Sequence, residues 1–175
     1  MARPPSADYP ISIASLLFFD IETTGLRPDR GAMITEVAVV DHAAIRYDWK
    51  RNRDTMSLAD QLPVLIKHLS QGVVVGHNLH FDFRFVAYEA DRLGILGPRL
   101  QYIDTLGLAR TLLDRTTDFQ LSMLLARFDR SPESELHTAL GDAWATRALF
   151  WALVDHGGLR TLAEAGLKPL DWTAF

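Results

Sequence analysis

Apolar and polar positions along the chain fall into early β-like segments, followed by segments that alternate between strand and helix. Residues 15–21, "SLLFFDI", form a bulky apolar run and predict a first strand. "MITEVAVVDHAAI", residues 33–45, predicts a second, with Gly25, Pro28 and Gly31 marking the turn between them. "RYDWKRN", residues 46–52, fits a third, exposed strand or a loop. In "SLADQLPVLIKHLS" the residues Leu58, Leu62, Leu65, Ile66 and Leu69 recur at helical spacing, with Ser57 and Asp60 in capping-box register. Pro63 leaves open a helix that starts later, with Asp60 as its N-cap.

Downstream, "VVVGHN" is a short β-branched run broken by Gly76, and it leads into a helical stretch with Phe81, Phe85 and Tyr88 on one face before Gly94. "LQYIDTLGLARTLL" repeats that scheme, with residues 102–105 as strand and a helix behind them. Residues 121–128 and 142–154 complete the helical set, the second followed by the stop signal "HGG". The result is one α/β domain, residues 11–175, with a mixed central β-sheet flanked by helices. Residues 1–10, "MARPPSADYP", read as a flexible arm, and residues 166–175 as a tail.

Composition adds limits. A chain of 175 residues is long enough to bury ~70% of its unfolded surface without staples. The lack of cysteine excludes disulfides, thiolate metal sites and cysteine nucleophiles. "ISIASLLFF" resembles a signal-peptide core but runs straight into Asp20 and Glu22 with no small-residue cleavage site. No apolar run approaches the ~20 residues of a membrane helix, so the expectation is a cytoplasmic protein with no membrane partner. A net charge of −4 argues against a protein that coats nucleic acid electrostatically, though not against one that grips a strand end through metal ions.

The candidate chemistry starts where the first strand ends. Asp20 and Glu22 project to the same side of an extended chain, and like charges so close raise each other's pKa unless a cation intervenes. Arg27 and Arg30 are near enough in sequence to pair with them in a purely structural arrangement. Asp82 and Asp142 each fall in the first turn of a helix, where the helix dipole alone accounts for a carboxylate. Together the four acids fall where strand and helix ends can meet in one crevice. An oxygen-only ligand set of this kind favours a hard cation, Mg²⁺ or Mn²⁺. His137 stands five residues before Asp142, on the loop "SPESELH", free to approach the acids and take a proton from water.

In their order and spacing, "FDIETTGL", "VGHNLHFDFRFV" and "HTALGDA" resemble the three motifs of the DEDDh 3′-to-5′ exonucleases, a family that includes the epsilon proofreading subunit of bacterial replicative DNA polymerase. "YIDTLGLAR" is similar to the strand–helix segment between the second and third motifs. The resemblance implies a ribonuclease-H-like fold with Asp20, Glu22, Asp82 and Asp142 holding two divalent ions and His137 as general base. It further implies that Thr23 and Thr24 hold the terminal 3′-hydroxyl, that Leu26 packs on the last base, and that Asn78 approaches the scissile phosphate. The family's longer insert, with its His-Gly-Ile type segment, has no counterpart between Val40 and Gly72.

What the resemblance implies for function is two-metal hydrolysis from the 3′ end of single-stranded or frayed DNA, in preference to RNA, with nucleoside 5′-monophosphates as product. A DNA polymerase or another replication or repair protein is the implied partner, and a non-catalytic polymerase adaptor is the rival reading. Lys50, Arg51 and Arg53 around Trp49 are candidate phosphate contacts, against the alternative of a solvated basic loop. Leu167, Leu170, Trp172 and Phe175 are candidate partner anchors, against the alternative of a tail packed on its own domain.

Overall fold

A computed structural model describes residues 5–95, 97–114, 118–131 and 136–175. In chain order the elements are β1 (Leu16–Thr23), β2 (Ile34–Val40), β3 (Ile45–Lys50), α1 (Leu58–Leu69), β4 (Val73–Gly76), α2 (Leu79–Arg92), β5 (Gln101–Asp104), α3 (Thr105–Leu112), α4 (Leu121–Arg127), α5 (Ala139–Gly157) and β6 (Lys168–Pro169). The strands form one mixed sheet in the order β3-β2-β1-β4-β5-β6. β1 runs parallel to β4, and β4 to β5, whereas the β1–β2, β2–β3 and β5–β6 pairs are antiparallel.

Alternation along β1 divides the core. Leu16 and Phe18 face the layer of α3, α4 and α5, while Leu17, Phe19 and Ile21 face α1 and α2. Such a strand is apolar on both faces because helices cover both. β1 is also where the connections diverge: from it the chain turns to β2 on one side, and from its neighbour β4 it crosses to β5 on the other. In open α/β sheets a crevice forms outside the carboxyl ends of strands at such a switch point. Gly76 ends β4 there, and a Cβ on it would collide with the Leu79 side chain and crowd the Phe19 carbonyl oxygen.

Some expectations are corrected and some open alternatives are decided. The single second strand splits, because the Asp41 carboxylate accepts from the backbone N–H groups of Ala43 and Ala44, each at 2.8 Å, and folds a turn into the run. The third strand is not exposed throughout, since Tyr47 and Trp49 are buried against α1. Helix α1 begins at Leu58 with Ser57 as N-cap, and Pro63 lies inside it on the exposed side; Ala59, whose carbonyl loses its usual partner, is exposed as well. The arm is tied down from Ala7, where backbone bonds join Ala7 and Tyr9 to Ala163 and Leu162 and Ile11 to Arg160. The tail packs on its own domain: Leu170 is buried, and Trp172 Nε1 donates to the Pro98 carbonyl at 2.6 Å. No helix among the described residues is long and apolar enough to cross a membrane.

Candidate active site

Asp20 and Glu22 continue the Leu16–Phe18 face of β1 beyond the core, toward the start of α5. Thr138 caps that helix, its Oγ1 accepting from Gly141 N–H at 3.0 Å, which sets Asp142 in the first turn. One carboxylate oxygen from each of Asp20, Glu22 and Asp142 lies within 4.8 Å of the other two. Asp82 arrives from the opposite helical layer, in the first turn of α2, and is 4% exposed. Its Oδ1 accepts the N–H of Ile21 at 3.1 Å, so it sits beside Asp20 but outside that trio.

The electrostatics are those of a buried cluster of like charges. Burial pushes the Asp20 carboxyl well up, and Asp82, Asp142, Glu22 and Glu36 push it further. Asp82 is also well raised, by burial first, despite the backbone N–H groups it accepts from. Glu22 is raised by burial, then by Asp142 and Glu36, with His137 and Lys50 offsetting part of the effect. Asp142 is raised by burial and drawn back by the His137 backbone bond and charge. Among the described residues no ion pair reaches any of the four, and Arg27 binds Asp29 at 2.6 Å instead.

His137 precedes the cap residue of α5, exposed and in a left-handed conformation (φ 66°), and its backbone N–H donates to Asp142 Oδ1 at 3.3 Å. Residues 132–135 of its loop lie outside the described residues. Asn78 caps α2 in a left-handed conformation (φ 67°), its N–H held by Asp104 Oδ1 at 2.9 Å. In the turn after β1, Thr23 Oγ1 donates to the Gly25 carbonyl at 2.7 Å, while Thr24 exchanges two bonds with Met33, both 2.9 Å. Leu26 stands out from that turn, 75% exposed.

A family model described as "Exonuclease", RNase T, matches residues 48–150. The chain belongs to this exonuclease family. The match takes in Asp82, His137 and Asp142, and β1 with its two acids lies ahead of it. Among curated proteins, the domain is 29% identical to the PolC-type DNA polymerase III of Thermotoga petrophila over 99% of this chain, and 25% identical to the 3′-5′ exonuclease DinG of Bacillus subtilis over 86%. The chain spans only 15% and 18% of those proteins' lengths. Among solved structures, exonuclease X in complex with 5′ overhanging duplex DNA aligns with a TM-score of 0.58 at 22% identity, covering 86% of this chain and 97% of that one. Brucella melitensis NrnC bound to pGG aligns at 0.60 with 18% identity, covering 88% and 77%. These likenesses support the ribonuclease-H-like exonuclease fold.

The exonuclease domain also has site residues that its sequence did not single out. Glu36 lies directly opposite Glu22 in the β1–β2 ladder, and Lys50 opposite Glu36 in the next. Glu36 Oε2 accepts from Lys50 Nζ at 2.9 Å and from the N–H of Ala139, the first residue of α5, at 3.3 Å. It therefore ties the helix bearing Asp142 to the sheet, and its place on the Glu22 face was readable from the alternation in "ITEVAVV". His77 bonds Thr105 Oγ1 and the Phe119 carbonyl, both at 2.9 Å, and its burial keeps its pKa low. No sequence signal marked that pairing, which spans distant segments.

Lys50, Arg51 and Arg53 are committed internally rather than free for phosphates. Arg51 donates twice to the Ile34 carbonyl, and Arg53 pairs with Asp48 and Asp54. The acidic trio, by contrast, fits a hard divalent cation: its oxygens converge, burial raises all three carboxyls, neighbouring carboxylates add to this at Asp20 and Glu22, and no ion pair reaches the trio among the described residues.

Proposed function

We propose that this domain is a metal-dependent 3′-to-5′ exonuclease that trims single-stranded or frayed DNA and releases nucleoside 5′-monophosphates, in proofreading or repair. The observation that carries this reading is the convergence of Asp20, Glu22 and Asp142, with Asp82 beside them, at the switch point of the sheet and with no ion pair to any of them among the described residues. Asp20, Glu22, Asp82 and Asp142 would hold the metal ions, Asp82 from beside the trio of converging oxygens. Two Mg²⁺ or Mn²⁺ ions, when bound, neutralise the carboxylates, acidify water and offset charge on the scissile phosphate. His137, exposed beside Asp142, takes the proton of the attacking water, a contribution of roughly 10²–10⁴-fold. Thr23 and Thr24 hold the terminal hydroxyl, Leu26 covers the last base and Asn78 approaches the phosphate.

The PolC-type relatives, of which this chain matches a small part, support work beside a DNA polymerase. RNA is the second reading, favoured by the RNase T family match. Matched DNA and RNA oligonucleotides separate the two through the 2′-hydroxyl. For the chemistry itself, a 5′-labelled single strand incubated with Mg²⁺ or Mn²⁺ should give a ladder that shortens from its 3′ end, and EDTA should abolish it. Digestion that persists in EDTA overturns the metal mechanism.

A further inference from the structure

Helix α2 grips the end of β1 and the turn that follows it, at one point each. Asp82 Oδ1 takes the Ile21 N–H at 3.1 Å, and two residues further on Arg84 Nη2 donates to the Leu26 carbonyl at 2.5 Å. The guanidinium lies 5.7 Å from the Phe81 ring centroid, and its Nε is buried with no acceptor among the described residues. Arg84 forms no ion pair among the described residues, so this cation is used as a donor to one backbone carbonyl. The residue it holds carries an apolar side chain that is 75% exposed, where an ordinary turn would carry a polar one. One helix thus fixes a site carboxylate and the exposed leucine relative to each other.

We infer that Arg84 is a positioning residue for the terminal nucleotide, setting the Leu26 side chain against the last base through the Leu26 carbonyl. The inference rests on Leu26 covering that base, as proposed above. Misplacing a substrate-positioning group by ~1 Å costs up to ~10²-fold, and a hydrogen bond to a charged donor is worth on the order of tenfold or more.

The test compares single strands that end in a normal nucleotide with strands that end in an abasic one, for wild type, Leu26→Ala, Arg84→Met and Arg84→Lys. On normal ends Arg84→Met should raise KM about tenfold with kcat little changed. On abasic ends it should match wild type, and combined with Leu26→Ala it should be no worse than Leu26→Ala alone. Arg84→Lys, which keeps one donor in reach of the carbonyl, should recover most of the loss and covers the case in which Arg84→Met fails to fold. An equal KM rise on both kinds of end, or a fall in kcat, overturns the inference while Leu26→Ala still acts on normal ends alone. If Leu26→Ala itself leaves KM on normal ends unchanged, the reading of Leu26 fails and the inference falls with it.

Discussion

Two charged regions of this domain lie a few strands apart and are built in opposite ways. On the β3 edge nearly every charge has its answer: Lys50 with Glu36, Arg53 with Asp48 and Asp54, and Arg51 with the Ile34 carbonyl. In the crevice at the exit of β1, three carboxylates converge with Asp82 beside them and no ion pair reaches any of the four among the described residues; burial raises each of their pKa values, and neighbouring carboxylates add to the rise at Asp20, Glu22 and Asp82. A fold that pairs its charges at the edge had arginines and lysines available for the crevice as well. Leaving the crevice unpaired costs stability in the metal-free protein, a cost that a bound cation would relieve.

The sharpest way to break this contrast is Asp20→Asn. It should reduce nuclease turnover by roughly a thousandfold, the several kcal/mol a metal ion supplies, and at the same time stabilise the metal-free protein. The sign follows from the raised pKa. The folded state holds the Asp20 proton more tightly than the unfolded one, so the carboxyl's penalty is absent below the unfolded value of ~4 and grows as pH rises through the raised folded value. Metal-free Tm at pH 8 should therefore increase by roughly 2–4 °C in the variant, and the gain should shrink toward pH 4. A lower Tm at pH 8 would show that the crevice is not strained by its own charge.

His137→Ala tests the exposed side of the same region. It should lower kcat by roughly 10²–10⁴-fold, while calorimetric Mn²⁺ binding stays near wild type because the carboxylates are untouched. Loss of Mn²⁺ binding would make His137 part of the cage rather than a base. The smallest effect belongs to the edge. Arg53→Met removes a half-exposed ion-pair network, and it should cost under ~1 kcal/mol in denaturant unfolding and leave kcat unaltered. A large loss of DNA affinity there would restore the basic strip as a phosphate contact.

Most of the fold was legible because local patterns and burial agree. β1 reads as a buried strand from an apolar run that helices cover on both sides, α5 ends at a glycine in a left-handed conformation (φ 62°), and the acids at the helix starts fall where caps place them. The misreadings came where one side chain redirected the backbone, as Asp41 did by folding a turn into the second strand. They also came where a long-range partner decided the outcome, as Pro98 did for Trp172 and the Leu162 segment for the N-terminal arm.

The sequence by itself determined which residues carry charge at the ends of elements, since alternation along a strand and position within a first helical turn are local properties. Only the tertiary structure decided which of those charges are answered. It brought Asp142 of α5 against Asp20 and Glu22, passed Asp82 in from the other layer to the Ile21 amide, and gave Glu36 rather than Glu22 to Lys50. Whether a charge finds a partner depends on strand order and layer packing, quantities that couple residues more than a hundred positions apart and leave no trace in any one segment.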